Sequence, residues 1–492
     1  MSIILTSTPV GESATRNLFS GLDISTSKVN VGNAKYDEHI PEDYVNVTVG
    51  IFFDGTLNNR KNTQARLEYE NKTKGKTYDK DLADSYNKDK WYSSKQSGSY
   101  NNDFSNISRM EPAYEKIIEE KNIQLSVYIE GIGTEDLEDD GTWGKAMGKG
   151  ATGVKGKVKK GCIEIVAALK KAGVEKINRL QIDSYGFSRG AAAARHFIFE
   201  INQKKGGNKE ADNGLGLYEY LGDKYTEDGG VLGEELAKKS LTPKLKTTVR
   251  FVGLYDTVAS FGTKHTNDTA QLHLDAISKA NFTFQLAAAD EHRDNFRLTN
   301  IKSARRGVQK FLPGVHSDIG GGYTDKADEE VTLDYATINY KEKMEVERQN
   351  LIDLGWYLPE QIWINDTWGS LRAERKGISN KYSHIPLHIM VEFSIKKVVK
   401  YDFSLINEDF PIKNETGKKV KLADVKKRID LYIKGEKGVI DFSTVEDKKM
   451  LQDLRNEYFH FSAHYNGRVV GLVPPMSPNR ENGVRTRVIQ DG

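Results

Sequence analysis

The residues with the clearest chemical potential form a Gly-x-Ser-x-Gly motif at positions 186–190, with Ser188 at its centre. An apolar run at 180–185 precedes the motif, and a run of alanines at 191–194 follows it. This order predicts a strand, a sharp turn and a helix, which is the arrangement of a nucleophile elbow. Flanking glycines let neighbouring backbone approach closely, and a helix N-terminus favours negative charge beside the serine. An ordinary glycine-rich turn is the alternative, so the partners of Ser188 decide the interpretation.

A serine nucleophile needs a base within hydrogen-bond reach, and the base needs an acid that orients it. In α/β-hydrolases the chain order is serine, then an acid, then histidine, each at the carboxyl end of a strand. Asp256 follows the predicted strand 248–255, and His316 follows the extended run 311–315. The sequence therefore predicts a catalytic triad of Ser188, Asp256 and His316.

Each partner of Ser188 has an alternative interpretation. Asp256 could cap the following loop, and His316 could make only a structural hydrogen bond. Other histidines also come late enough in the chain to be the base: His292, His384, His388, His460 and His464. Of these, His460 and His464 are the main rivals. His316 and Asp318 could also be half of a metal site, although no further ligands stand at typical spacing.

Hydrolysis also needs donors for the oxyanion of the tetrahedral intermediate. We expect the backbone amides of Arg189, next after the serine, and of Gly55, in the loop after the predicted strand 45–53. The Asp-Gly-Thr around Gly55 also resembles the first motif of haloacid-dehalogenase phosphatases. That motif needs a nucleophilic aspartate where this chain has Phe52, so the phosphatase interpretation fails. The glycines at 320–322 predict a loop that folds tightly over the site.

The elements that must position these residues alternate between strands and helices. Strands are predicted at 45–53, 125–129, 180–185 and 248–255, and helices at 107–121 and from 158 onward. The second helix has an apolar stripe of Val158, Cys162, Ile165, Val166 and Leu169. This alternation predicts an α/β fold with a mostly parallel sheet and flanking helices.

We expect three regions: a tail or docking arm at 1–43, an α/β-hydrolase catalytic core at 44–330, and a helical extension at 331–492 packed on the core. Polar stretches at 58–103 and 205–245 are predicted to be long insertions, the first of them a loop.

Composition limits the function classes that need to be considered. The 492 residues include 72 basic and 70 acidic side chains, and a net charge of +2 gives no argument for nucleic acid. Cys162 is the only cysteine, which excludes an intramolecular disulfide. No apolar run approaches the ~18 residues of a membrane-spanning helix, and the N-terminus has no basic segment of a signal peptide. We therefore expect synthesis in the cytoplasm and, if the protein leaves the cell, transport by another system.

With these residues assembled, the chain resembles the α/β-hydrolase domain of the type VI secretion lipase effectors of the first family. The matching segments, in family order, are 52–59, 131–134, 186–192, 256–258, 290–293 and 313–323. The resemblance implies a Ser188–Asp256–His316 triad and phospholipase A-type activity on bacterial glycerophospholipids.

We therefore predict a serine esterase that acts as an antibacterial phospholipase and needs no metal or organic cofactor. Its expected partners are the phospholipid membrane as substrate, a component of the secretion spike or tube, and an immunity protein, with delivery by a type VI system into the periplasm of a target cell. The alternatives are a soluble intracellular esterase or thioesterase and a non-catalytic binding module. The lysines at 155, 157, 159 and 160 could attract anionic head groups or could form a solvated helix face.

Overall fold

A computed structural model describes residues 3–6, 24–25, 40–87, 98–138, 140, 152–212, 218–259, 269–335, 340–367, 369–435, 444–466 and 476–492. Most of the tail predicted at 1–43 lies outside these residues, as do parts of the insertions predicted at 58–103 and 205–245.

The strands are β1 Ile3–Thr6, β2 Ile24–Ser25, β3 Val45–Phe53, β4 Ile117–Ile118, β5 Asn122–Ile129, β6 Ile177–Phe187, β7 Asn208–Asp212, β8 Tyr218–Lys224, β9 Thr248–Tyr255, β10 Phe282–Ala288, β11 Leu298–Thr299, β12 Gly307–Leu312, β13 Ala327–Tyr335, β14 Ile362–Asn365, β15 Ser370–Ile378, β16 Arg480–Glu481 and β17 Val484–Gln490. The helices are α1 Arg60–Thr73, α2 Lys80–Asn87, α3 Asn106–Met110, α4 Val154–Lys171, α5 Arg189–Glu200, α6 Gly230–Lys238, α7 His316–Gly320, α8 Tyr340–Asp353, α9 His384–Lys396, α10 Phe403–Asp409, α11 Leu422–Lys434 and α12 Val445–Glu457.

The central sheet has the strand order β2-β12-β10-β9-β6-β3-β5-β4. The six inner strands, from β12 to β5, are parallel, and only the short strands β2 and β4 pair antiparallel at the two edges. The prediction of an α/β fold with a mostly parallel sheet is thus confirmed. Because parallel strands end at the same edge, the residues that follow β3, β6, β9 and β12 are brought together there.

Alternate side chains of the strands supply two hydrophobic layers, because successive residues of a strand face opposite sides of the sheet. Along β3, Val47, Val49, Ile51 and Phe53 pack with the helices α4, α5 and α6. Phe52 faces the other side and packs in a layer that includes α3, α9, α11 and α12. The predicted apolar stripe of α4, from Val158 to Leu169, is buried as expected.

The chain after residue 330 contributes to the second layer and is not only helical. Strands β13, β15 and β14 form an antiparallel sheet of their own. Strand β17 pairs in parallel with β11 and antiparallel with β1 and β16, so residues 484–490 lie beside a segment of the predicted core. The prediction of a helical extension at 331–492 missed these strands.

Two sequence predictions between β3 and β5 are wrong. The helix predicted at 107–121 ends at Met110 and gives way to a short 3-10 turn and to β4. Pro112 explains this, because proline has no backbone N–H for a continuing helix. The loop predicted from residue 58 instead contains α1, whose first turn is capped by the Asn59 side chain through the amides of Lys61 and Asn62.

Within the described parts of the chain, the search for a helix long and apolar enough to cross a bilayer finds none.

Candidate active site

Ser188 lies at the sharp turn between β6 and α5, as the motif predicts. Its backbone has φ 58° and ψ −127°, a combination that residues with a side chain rarely adopt. The Ser188 amide donates to the carbonyl oxygen of Tyr255 on the neighbouring strand β9, at 3.0 Å. The turn is therefore fixed to the sheet at the point where the next strand ends.

The two glycines of the motif are required because backbone atoms lie against them. A Cβ on Gly186 would lie 2.3 Å from the carbonyl oxygen of Gly190. A Cβ on Gly190 would lie 2.2 Å from the carbonyl oxygen of Asp54, which directly follows β3. Since real Cβ contacts are longer, only glycine lets the start of α5 pack this closely on the end of β3.

Asp256 and His316 meet at the same edge of the sheet. Asp256 directly follows β9, and its amide donates to the carbonyl oxygen of Leu286 at 2.8 Å. His316 begins α7, just after the turn that ends β12. Its Nδ1 lies 2.6 Å from Oδ2 of Asp256, and both side chains are buried. With the carboxylate ionised, Nδ1 carries the proton and Nε2 is left with a lone pair.

His316 packs against the residue before Ser188, but the structure does not bring the serine and the histidine into a hydrogen bond. Phe187, the residue before Ser188, has its ring centroid 4.6 Å from that of His316. Nε2 of His316 is buried and has no hydrogen-bond partner among the described residues. Catalytic hydrogen bonds are often long without substrate, so this geometry leaves Nε2 available as a base.

Burial and charge set the ionisation states of this pair. Burial opposes ionisation of Asp256, but the charge of Arg487 and the hydrogen bond from His316 outweigh it and lower the pKa of the carboxyl. Burial lowers the pKa of His316 below its usual value, against the opposing effect of Asp256. A neutral imidazole beside an ionised carboxylate is therefore the resting state at neutral pH.

The two predicted oxyanion donors differ in their surroundings. Arg189 is the first residue of α5, where backbone amides have no acceptor within the helix. Its side chain donates from Nε to Oγ1 of Thr56, at 2.6 Å, which ties the elbow to the loop after β3. The amide of Gly55 in that loop donates to Oδ1 of Asp54, at 2.7 Å. Gly55 therefore has to exchange this bond for one to a substrate oxygen if it acts as a donor.

Asp54 is held from its other side as well. Its Oδ2 accepts a hydrogen bond from the hydroxyl of Tyr128, at 2.6 Å, and burial raises the pKa of its carboxyl. The loop that contains Gly55 also packs on Gly131, where a Cβ would lie 1.8 Å from the carbonyl oxygen of Gly55. The amide of Gly131 donates to the carbonyl of Asn58, at 2.8 Å. These contacts explain why glycine stands at position 131.

The glycines after His316 fold back over the elbow. A Cβ on Gly320 would lie 2.0 Å from the ring of Phe187, and Gly321 and Gly322 have positive φ angles of 77° and 113°. The sequence predicted this tight return.

A layer of charged residues that sequence reasoning missed supports His316 from behind. Glu291 accepts from the amide of His316 at 3.2 Å and from the guanidinium of Arg293 at 2.8 and 2.9 Å. Asp290 accepts from the amide of Gly314 at 2.8 Å and from Arg455 on α12 at 2.6 Å. The segment 290–293 matched the family pattern, but nothing in its local sequence identified these partners.

Arg487 on β17 is the other residue that sequence reasoning missed. Its Nη2 lies 2.9 Å from Oδ1 and 3.0 Å from Oδ2 of Asp256, so it contacts both oxygens of the carboxylate that His316 also contacts. The two residues are 231 positions apart, and no local pattern signals the pair.

Three of the rival histidines, His460, His384 and His388, have partners outside the pair of Asp256 and His316. His460 shares a hydrogen bond of 3.1 Å with Asp318 and stacks on Tyr323, with ring centroids 3.7 Å apart. His384 and His388 contact the backbone carbonyls of Pro411 and Phe410. Burial lowers the pKa of His292 to about 4 and also lowers that of His464.

The metal alternative also lacks support. Asp318, the proposed partner of His316 in a metal site, is engaged by His460. The described residues contain no group of three or more histidine, cysteine or acidic side chains that could hold a metal ion.

Two of the four lysines that the sequence offered as a basic patch on α4, Lys157 and Lys160, pair with a carboxylate instead. Lys157 is buried, and its Nζ lies 2.6 Å from Oε1 of Glu130 and 2.7 Å from the carbonyl oxygen of Thr134. Lys160 binds the same carboxylate. These two charges hold α4 to the loop after β5, and attraction of head groups by Lys155 and Lys159 stays a prediction.

Comparison with known proteins identifies a matching family and a solved structure of similar fold. The family model described as "T6SS, Phospholipase effector Tle1-like, catalytic domain" matches residues 90–356, more than half of the 492 residues. A solved structure of the Tle1 effector bound to the VgrG spike of the type 6 secretion system is similar in fold, with a TM-score of 0.58 and 21% sequence identity over 95% of this chain and 99% of that one.

A crystal structure of an uncharacterized protein from Pseudomonas aeruginosa aligns with 17% identity over 81% of this chain and 56% of that one. Its TM-score of 0.34 is too low to indicate a shared fold. The search of curated protein sequences gave no match.

Proposed function

Because the chain belongs to the Tle1-like family of type VI secretion phospholipase effectors, we propose that it hydrolyses acyl esters of glycerophospholipids through a triad of Ser188, Asp256 and His316. The observation that carries this proposal is the 2.6 Å contact between Asp256 and His316 next to a strained serine turn. Family membership supplies the phospholipase class, and the geometry supports the serine mechanism.

The proposed reaction begins with attack of Ser188 Oγ on the ester carbonyl. His316 takes the hydroxyl proton at Nε2, while Asp256 holds the proton on Nδ1 and stabilises the imidazolium that forms. The oxyanion is bound by the amides of Arg189 and Gly55, the second of these after release from Asp54. His316 then protonates the leaving lysophospholipid oxygen. A water molecule, deprotonated by the same nitrogen, releases the fatty acid from the serine.

The family suggests where and with which partners the proposed reaction takes place. Its members are effectors of type VI secretion, and the solved relative is bound to a VgrG spike. We extend this to the present chain by proposing a spike component as its delivery partner, the periplasm of a target cell as its site of action and an immunity protein as its inhibitor. In the same proposal residues 44–330 form the catalytic core and 331–492 an extension packed on it.

A fluorophosphonate probe tests the serine mechanism directly. It reacts with an activated serine, so wild-type protein should be labelled at Ser188, and the labelled peptide can be identified by mass. Ser188→Ala should not be labelled, and Asp256→Asn should be labelled far more slowly because His316 loses the acceptor that fixes its tautomer. Labelling of folded Ser188→Ala at the wild-type rate would contradict the assignment.

A further inference from the structure

Arg487 contacts the proposed triad acid from a part of the chain that sequence reasoning did not connect to the site. Its Nη2 lies within 3.0 Å of both carboxylate oxygens of Asp256, and its Nη1 donates to the carbonyl oxygen of Ala288 at 3.1 Å. Arg487 is 1% exposed and Asp256 is 0% exposed. A buried guanidinium that meets both carboxylate oxygens restricts rotation of the carboxylate.

We propose that Arg487 is a positioning residue for the hydrolase reaction, which holds Asp256 so that Oδ2 faces Nδ1 of His316. This inference rests on the proposed function of the triad. Apart from Arg487, the Asp256 side chain has hydrogen bonds from the amide of Ala288 to Oδ1, at 2.9 Å, and from His316 to Oδ2. Without the arginine, a buried carboxylate loses this arginine partner and one of the contacts on each oxygen.

The strand that carries Arg487 is itself firmly attached beside the site. Strand β17 pairs in parallel with β11, with Ile489 opposite Leu298, and the amide of Asn300 donates to the carbonyl of Gln490 at 3.0 Å. The Nη1 bond to Ala288 joins the same guanidinium to the end of β10. Arg487 thus fixes the end of β9 relative to two other strands, which is what precise orientation of an acid requires.

Several other charged groups lie around Asp256 and Arg487, and they contribute to any pH dependence of the activity. Near Asp256, Arg487 and His316 stand Glu291 and Arg293 on the loop after β10, then Asp290 with Arg455 of α12, and Asp318 with His460. Burial opposes ionisation of Glu291, yet Arg293 and Arg487 together lower its pKa well below the usual range. Loss of the Arg487 charge should therefore raise the pKa of Asp256, which that charge lowers.

The test compares Arg487→Met and Arg487→Lys with Arg485→Met. Arg485 lies two positions earlier on β17, so it faces the same side of the strand. It is also buried, but it binds Glu347 at 2.8 Å and the carbonyls of Ala463 and Leu333, each at 2.6 Å, away from the triad. A loss of activity that came only from a weakened strand should appear in both methionine variants.

For Arg487→Met we expect kcat to fall on the order of 100-fold with KM nearly unchanged, because the acid is displaced while the binding surface stays. The fluorophosphonate labelling rate should fall in parallel, and the acidic limb of the kcat/KM profile should move to higher pH. Arg487→Lys should recover part of the loss, since it restores the charge but not the second nitrogen that binds the carbonyl of Ala288. Arg485→Met should keep the wild-type kcat and the wild-type profile.

Wild-type kcat, labelling rate and pH profile in folded Arg487→Met would overturn the positioning role. If that variant does not fold, wild-type kcat in Arg487→Lys would overturn it, because a lysine has one nitrogen and cannot hold Asp256 and the Ala288 carbonyl together as the two guanidinium nitrogens do. Equal losses in Arg487→Met and Arg485→Met would also overturn it, in favour of a purely structural role. Failure of the probe to label wild-type protein would contradict the proposed function instead, so the two failures are distinguishable.

Discussion

Ser188 holds a backbone conformation that costs free energy wherever a side chain is present. Its φ of 58° and ψ of −127° belong to a region that glycine adopts with ease, and such strain costs on the order of 1–3 kcal/mol. Two neighbouring segments keep the residue there, because Gly186 and Gly190 allow backbone contacts that hold the turn closed. The strain presents the hydroxyl, so it is part of the proposed mechanism.

Relief of this strain should raise the stability of the protein without restoring its activity. Ser188→Gly should unfold at a higher temperature than Ser188→Ala, because only glycine relieves the conformation, and both variants should lose turnover by several orders of magnitude. Thermal unfolding followed by circular dichroism measures the difference, with alanine as the matched control. A Ser188→Gly protein no more stable than Ser188→Ala would show that the turn stores no strain.

The two histidine–aspartate pairs give a second prediction at this scale. His316→Ala should cost nearly as much turnover as loss of Ser188, because members of a triad act as one unit. His460→Ala should be much milder, since its partner is Asp318 and the acid of the proposed triad, Asp256, is not involved. Steady-state hydrolysis of a short-chain ester compares the two variants. A more severe loss of turnover in His460→Ala than in His316→Ala would show that His316 is not the base.

The sequence could indicate the proposed triad residues because each follows a strand and the chain order is informative. It could not indicate Arg487 or Glu291, since their roles arise from pairs far apart in sequence or from the packing of loops. It also could not show that the amide of Gly55 is engaged by Asp54, because that depends on a side-chain rotamer.

At the scale of elements, the contact between α5 and β3 forms the edge at which the site is built. Gly190 in the first turn of α5 lies against the backbone carbonyls of Phe53 and Asp54. Intrinsic propensity favours alanine over glycine in a helix by about 1 kcal/mol. The close approach should reverse this preference, because a Cβ would lie 2.2 and 2.4 Å from the two oxygens.

We therefore expect Gly190→Ala to destabilise the protein by about 1–3 kcal/mol and to lower activity. Denaturation in urea measures the first effect and ester hydrolysis the second. Gly222→Ala on β8 is the control, because a Cβ there meets nothing within 4 Å. Gly190→Ala with the stability of the wild type would mean that α5 can shift away from β3 at little cost.

The parallel strands were predictable because long apolar runs separate turns rich in glycine, and β3 and β9 have the predicted bounds. Helix α1 was missed because its buried face is largely polar, with Asn62, Thr63 and Arg66 held by hydrogen bonds rather than by an apolar stripe. Strand β17 was missed because alternate residues of it are arginines whose partners lie elsewhere in the fold.

At the scale of the whole molecule, buried histidines should make the protein sensitive to mild acid. Burial lowers the pKa of His292 to about 4 and that of His384 to about 3, and it also lowers the pKa of His316, His388 and His464. Between the usual value near 6.5 and these lower values, the unfolded chain binds protons that the folded chain does not. The free energy of unfolding should therefore fall as the pH decreases through this window.

Urea denaturation at about pH 7 and about pH 5 tests this linkage. Stability should be lower at the acidic pH, and His292→Gln should reduce the difference between the two values, because it removes one group that must take up a proton. The buried carboxylates Asp256, Glu291 and Glu347 have lowered pKa values. Their protonation therefore reduces the free energy of unfolding only below about pH 4.5. Stability that is unchanged between the two pH values would contradict the histidine contribution.

Hydrolysis of phospholipid by the whole protein tests the central claim most directly. Wild-type protein and Ser188→Ala are incubated with vesicles of mixed bacterial glycerophospholipids, and the products are identified by mass spectrometry. The wild type should release free fatty acid and lysophospholipid in equal amounts at first, and Ser188→Ala should release neither above background. Intact lipid after incubation with folded wild-type protein, or equal product from the alanine variant, would contradict a phospholipase with Ser188 as its nucleophile.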